Sequence, residues 1–360
     1  MNTFEKAPIV IFDYEDLKNR ESILYEKIDK AFGPHGIGLC LVSNVPDYEK
    51  YRTALLPQAN ILANLPKEEL DKLTKPEMYY FSGWSHGKEQ FKGRIDYTKG
   101  SYYAFVREDE PIKELLEDTK KQGGVIVRNV WPQNNIIENF EKNFKNLGNL
   151  MCDVGSLLGY HLDKYIKHKQ PNYIDGTIEK IIKEGNQHVG RLLHYFSCKE
   201  KKTIQDDWCG WHNDFSVVTG LASAMYFDEK GNLLPNYDVE NDGGLFVKNR
   251  FSEQQKAFIP NNCLGFQIGE VVQILSGGIL EATPHCVVRG ENSVQDGACR
   301  NNYVCFISPN QEFQMKVPDE SLIDKVANME GYYVSKLKDR WKNNMPYGIF
   351  SSNSSKSIRY

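Results

Sequence analysis

The chain has 360 residues, and its 44 Lys and Arg against 48 Asp and Glu leave a formal charge of −4. That balance argues against a polyanion such as nucleic acid as the main partner, because phosphate binding needs a basic excess on one face. Hydrophobic residues make up 40%, enough to bury a large core, and 28 glycines with 15 prolines are too few for a collagen-like or low-complexity chain.

Residues 8–12 (PIVIF) read as a short strand. Residues 21–32 carry Ile23, Ile28, Ala31 and Phe32 at near-helical spacing and stop at Gly33-Pro34. Residues 36–42 are β-like, and a second helical stretch is expected over 47–73. The stretches 83–89 and 99–104 are turn-rich and aromatic. The clearest helix is 135–158, where Ile136, Phe140, Phe144, Leu147, Met151, Val154 and Leu158 recur at threes and fours as a core-facing stripe. Past Gly190 the texture changes to short β-rich runs: 191–196, 215–227, 244–247, 257–259, 264–275, 285–288 and 302–307. A polar insert, 228–242, interrupts them. Strands at this spacing predict a sandwich, barrel or jelly roll. A helix over 319–341 and a polar tail (FSSNSSKSIRY) close the chain.

No apolar run approaches the roughly 20 residues of a membrane span, so no membrane partner is expected. Acids follow the N-terminal Met too soon for a signal peptide, and the eight cysteines are scattered without a C-x-x-C pair. Free thiols in a reducing, cytoplasmic compartment are the expectation.

The densest chemical signal is Trp211-His212-Asn213-Asp214, followed by Pro284-His285. In an extended segment residues i and i+2 share a face, so His212 and Asp214 can converge on one ion, with His285 arriving from another strand. Two imidazoles and a carboxylate form the facial triad that suits non-haem Fe(II) and leaves positions open for substrate and O2. An isolated H-x-D is weak, since histidines also serve as ordinary core or surface residues. Context strengthens it. Arg300 follows His285 by fifteen residues, with Asn302 on the same strand face. An arginine inside a β core needs an anion, and its planar fork fits a carboxylate two-pronged. A triad beside such an arginine suggests a bound 2-oxo acid.

Further fragments fall in a telling order. Gly243-Gly244-Leu245-Phe246-Val247 precedes Gly265-Phe266-Gln267-Ile268-Gly269-Glu270 and Gln273-Ile274-Leu275-Ser276-Gly277-Gly278, and Arg300-x-Asn302-x-x-x-Phe306-x-x-Pro309 follows. With the H-x-D and the N-terminal segments 8–12 and 36–45, they resemble the isopenicillin N synthase-like branch of the Fe(II)/2-oxoglutarate-dependent oxygenases over nearly the whole chain. The resemblance implies a mainly β core with flanking helices, a double-stranded β-helix (distorted jelly roll) with a helical N-terminal region and a C-terminal helix. Its expected parts form one integrated unit: 1–185 with the long support helix, 186–315 as the jelly-roll core, and 316–360.

The implied activity is oxidation of a small organic substrate, by hydroxylation or desaturation, with release of succinate and CO2. His212, Asp214 and His285 would be catalytic and hold Fe(II), Arg300 and Asn302 would bind 2-oxoglutarate, and O2 would be the second co-substrate. The family's usual Ser is Asn302 here, and residues 290–297 lengthen the connection to Arg300. In the strand Arg191-Leu192-Leu193-His194-Tyr195-Phe196, His194 and Phe196 are expected where the family often places an Asn and a Tyr, with Arg191 or Tyr195 as substitutes. Arg289 is a second anion candidate, and His86, Lys88 and Tyr102 are candidate substrate contacts. The run 199–202 reads as a solvated loop. A monomer binding small molecules is expected. An oxidase of the same fold that needs no 2-oxoglutarate, and a catalytically silent binder, are the alternatives.

Overall fold

Short β-branched and aromatic runs pair into two main sheets and two small two-stranded ribbons, and amphipathic helices wrap the largest sheet. The structure, a computed structural model, describes residues 5–197, 207–290, 297–329 and 335–359, apart from 89, 92–93, 118–119 and 121–124. In chain order the strands are β1 (Val10–Asp13), β2 (Leu39–Ser43), β3 (Gly83–His86), β4 (Gln90–Phe91), β5 (Arg94–Ile95), β6 (Lys99–Phe105), β7 (Val189–Tyr195) and β8 (Asp207–His212). They continue as β9 (Val218–Leu221), β10 (Met225–Phe227), β11 (Gly244–Lys248), β12 (Gln254–Lys256), β13 (Cys263–Ile268), β14 (His285–Val288) and β15 (Cys299–Ile307).

The large sheet runs β1-β2-β13-β9-β15-β7-β6-β3, with β10 also on β15; the small sheet runs β12-β11-β14-β8. Their inner faces meet through Leu39, Leu193, Leu221 and Val304 on one side and Val247 and Ala257 on the other. The other face of the large sheet rests on the helix Phe140–Lys169, whose Phe144, Leu147, Met151 and Leu158 are fully buried. Two glycines allow the close approach. A Cβ at Gly148 would lie 2.4 Å from Val106 Cγ1, and one at Gly220 would lie 3.0 Å from Met151 Sδ. The long helix thus sits tightly under β9 and β15, the strands nearest the site.

The expected β core with flanking helices is found, with differences in detail. The long helix starts later than residue 135 and runs on to Lys169, because Leu162, Tyr165 and Ile166 extend its buried stripe onto the helix Thr177–Glu184. The expected helix over 47–73 is two, Tyr48–Ala63 and Lys67–Leu73, separated at Pro66. The turn-rich stretches at 83–89 and 99–104 contain β3 and β6, which extend the large sheet beyond β7. The run 264–275 is strand β13 and then a helix, Glu270–Leu275. They are divided at Gly269, where a Cβ would meet Ser216 O at 2.0 Å.

The expected strand 257–259 lies earlier, as β12. At the C-terminus, the expected helix over 319–341 is a short one, Ile323–Asn328, flanked by 3-10 turns. The polar tail is helical instead, Tyr347–Arg359, because Tyr347, Phe350 and Ser354 form a buried strip that its serines disguise. The charge run 199–202 and positions 291–296 of the long connection lie outside the described residues. No helix among the described residues is long and apolar enough to cross a membrane.

Candidate metal centre and its pocket

Strands β8 and β14 pair antiparallel with His212 opposite His285, so the two imidazoles meet across the ladder, ring centroids 4.3 Å apart. Asp214 lies two residues past His212, just beyond the strand end. Its Oδ1 is 3.8 Å from His212 Nε2 and its Oδ2 3.8 Å from His285 Nε2. One ligand atom from each residue lies within 4.8 Å of the others. Those gaps are too wide for hydrogen bonds and suit donors at about 2.0–2.2 Å from a shared ion. Nitrogen and carboxylate donors in this number suit Fe(II).

The surroundings aim the donors. His212 Nδ1 is 2.7 Å from Gly210 O, which calls for the proton on Nδ1 and leaves Nε2 bare. His285 Nδ1 lies 3.3 Å from Thr283 O and 2.8 Å from the Gln267 amide, whose Oε1 is buried without a partner. Gln267 Nε2 also donates to Thr283 O at 3.3 Å, and a proton on His285 Nδ1 aimed at that same carbonyl leaves His285 Nε2 bare. Burial, with His212 close by, pushes the His285 pKa down to about 4. At neutral pH this ligand therefore has no proton to lose before coordinating.

Other histidines share the effect: burial pushes His188 and His194 each down to about 4 and lowers His161 as well. Each takes up a proton when the chain unfolds between the folded value and the ordinary 6.5, so stability should rise with pH across that window. Asp163 runs the other way, its carboxyl pushed up to about 7 by burial. A net uptake of about two protons near pH 5 remains, a slope of roughly 2–3 kcal/mol per pH unit. Urea unfolding of the metal-free protein from pH 6.5 down to 5 checks this; a flat profile would contradict it.

The same pocket is lined by His212, Asp214 and His285 and by Arg191, Tyr195, Arg300 and Asn302. Arg300 stands opposite Tyr195 on β7 and Tyr226 on β10. Its guanidinium lies 4.9 Å over the Tyr195 ring and donates to the Tyr226 hydroxyl. The residue is only 4% exposed, yet its Nε and Nη1 have no hydrogen-bond partner. Asn302 Oδ1 accepts from Tyr303 N at 2.8 Å. Arg191 donates through Nε and Nη2 to Ser101 Oγ and lies 5.0 Å over the Tyr103 ring.

Other expected contacts fall elsewhere. Strand alternation turns His194 to the opposite face, where its Nδ1 sits 2.7 Å from Asn301 Oδ1, and Phe196 lies beyond the end of β7. Leu193 and Tyr195 take the pocket-facing places instead. Tyr102 is fully buried among Trp131, Phe140 and Phe144 and donates to Val130 O, so it is a core residue. His86 is exposed, with Nε2 3.1 Å from Tyr97 O, and Lys88 lies 5.8 Å over the Tyr80 ring. Arg289, His86 and Lys88 are not among the residues that line the pocket.

Lys256 was not foreseen from the sequence. It is buried at the pocket wall and donates to the carbonyls of Val239, Asp242 and Gly243. It thereby ties the insert 228–242 to β12, while Tyr237 of that insert stacks on Tyr226 at 4.1 Å. Gln267 stands out as a polar residue in an otherwise inward-facing run, whereas Lys256 closes the polar run Gln254-Gln255-Lys256 and carries no such signal.

No protein-family model and no curated protein matches the chain. Solved structures do. A 2OG-Fe(II) oxygenase family protein from Caulobacter crescentus aligns with TM-score 0.69 at 19% identity, covering 98% of this chain and 100% of that one. A full-length Neurospora crassa protein in complex with alpha-KG aligns with TM-score 0.67 at 18% identity over 98% and 99%, and the same protein has also been solved with alpha-KG and thymine. JOX2 in complex with 2OG, Fe and JA aligns with TM-score 0.58 at 15% identity over 99% and 90%. The fold of this chain is that of the 2OG-Fe(II) oxygenases. At such identities the likeness establishes the fold, and the chemistry rests on the chain's own residues.

Proposed function

We propose that the chain is an Fe(II)- and 2-oxoglutarate-dependent oxygenase acting on a small organic substrate. His212, Asp214 and His285 would hold the iron, and Arg300, beside Asn302 and Tyr195, would hold the far carboxylate of 2-oxoglutarate. The observation that carries the reading is the buried Arg300 guanidinium, which lines the cavity that also holds the triad and keeps two nitrogens without a hydrogen-bond partner. A buried cation with idle N–H groups is costly, and a carboxylate offers it charge and two acceptors at once. Bound iron would supply the redox chemistry: O2 activation with decarboxylation of 2-oxoglutarate to succinate and CO2, coupled to oxidation of a C–H bond.

The protein's own part is positional. Tyr195 and Tyr226 hold the Arg300 plane, the Nδ1 contacts of both histidines fix their rings, and the walls from β7, β9 and β11 exclude water. The two facing sheets read as a distorted double-stranded β-helix of the isopenicillin N synthase-like branch, with residues 1–185, 186–315 and 316–360 as parts of one unit. A cytoplasmic monomer without a nucleic-acid partner fits the charge of −4 and the free cysteines. The structural neighbours bind compounds as unlike as thymine and JA, so hydroxylation or desaturation of a particular substrate is left to the shape of this pocket. The test is turnover of the Fe(II)-loaded protein with 2-oxoglutarate and O2. Succinate is expected in step with O2 consumed; O2 consumption without succinate would replace this reading with an oxidase that needs no 2-oxoglutarate.

A further inference from the structure

Asn213, between two of the candidate ligands, is buried and donates through Nδ2 to Glu270 Oε1 at 3.3 Å. Glu270 grips the same turn by its backbone, its N–H donating to Asp214 O at 2.8 Å. It opens the helix Glu270–Leu275 and is 2% exposed, a position where a carboxylate needs a partner. The partner comes from seventy residues along the chain. Arg340, 5% exposed, makes a two-pronged pair, with Nη1 2.7 Å from Oε2 and Nη2 2.7 Å from Oε1.

Arg340 is held in turn by the C-terminal helix Tyr347–Arg359. Its Nη1 donates to Ser354 Oγ at 2.8 Å, its guanidinium lies 5.7 Å over Phe350, and its carbonyl accepts from Asn353 Nδ2 at 3.0 Å. A line of buried polar contacts therefore runs from Ser354 through Arg340 and Glu270 to Asn213. Stability alone is a poor reason for such a pair, because well-packed apolar residues of similar volume serve a core equally well. What apolar residues lack is an acceptor for Asn213.

We propose that Arg340, backed by the C-terminal helix, is a positioning residue for the metal centre: it aims Glu270 at Asn213 and so fixes the turn that carries His212 and Asp214. The inference rests on the metal reading proposed above. Metal affinity then depends on residues 340–354, although none of them is among the three ligands.

The test titrates Co(II) into the metal-free protein, reading affinity and the visible ligand-field spectrum, with urea unfolding in parallel. The Glu270→Leu, Arg340→Met double variant exchanges the pair for apolar residues. It is expected to unfold near the wild-type midpoint yet bind Co(II) about 10- to 100-fold more weakly, with an altered spectrum. Arg340→Lys, which keeps the charge and loses the fork, should fall between. Wild-type affinity and spectrum in the double variant would overturn the proposal. Should that variant not fold, Asn213→Leu decides, since it leaves the pair intact: about tenfold weaker Co(II) binding supports positioning, and unchanged binding overturns it. Wild-type protein that ignores Co(II), or binds it equally after His212→Ala, would sink the metal reading itself, an outcome distinct from failure of the Arg340 proposal alone.

Discussion

A His212→Ala, His285→Ala double variant is expected to hold no Fe(II) after anaerobic loading and desalting, where the wild type keeps one ion per chain. Only the Asp214 carboxylate would remain of the three donors that now lie within 4.8 Å of one another. Structural zinc sites gain about 10–16 kcal/mol from four ligands, or roughly 3 kcal/mol each. Two lost imidazoles should thus weaken binding by about 10⁴-fold or more. Asp214→Ala alone should also strip the ion, because it removes the only negative donor of the set. Acid should act more gradually: His285, with its pKa near 4, does not compete with the metal until the pH is well below neutral. Full iron occupancy in the double variant would mean the ion sits elsewhere.

The triad was legible because an extended H-x-D carries its own geometry. The spacing already puts His212 and Asp214 on one face, and β14 then brings His285 directly opposite His212. Arg300 was legible for a similar reason, being a charged residue in a run that otherwise reads as core. The misread places are those where a partner distant in sequence decides. The resemblance sets His194 at a family contact position and leaves Tyr195 as a substitute, and only the pairing of β7 with β15 fixes that Tyr195 faces the cavity. The polar tail becomes a helix because Phe350 and Ser354 find Arg340 and the core beneath them, a contact that no local pattern announces. The stretches 83–89 and 99–104 read as turn-rich because their glycines and aromatics suit turns. Strands β3 and β6 form there because Trp84 packs over Gly100 across the ladder, where a Cβ would lie 2.1 Å from Trp84 Cη2. Strand and helix types were thus readable where one face repeats, and sheet edges and polar relays were not.

Arg300→Lys is expected to separate the co-substrate from the metal. Lysine keeps the charge but loses the plane that now lies over Tyr195 and the Nε and Nη1 donors that stand unpartnered beside the cavity wall. Losing one charged hydrogen bond, about 1.5–3 kcal/mol, should weaken 2-oxoglutarate roughly 10- to 150-fold. Fe(II) binding should hardly change, since Arg300 is not among the three donors. Chelation of Fe(II) by a 2-oxo acid gives a weak visible charge-transfer band, so an anaerobic titration of 2-oxoglutarate reads both affinities without knowledge of the prime substrate. Equal affinities in wild type and variant would move the anchor to Arg191, which lines the same pocket; Arg289 does not line it and drops out. A band absent from the iron-loaded wild type would instead favour the oxidase that works without 2-oxoglutarate, leaving the Arg300 fork to meet an anionic group of the substrate itself.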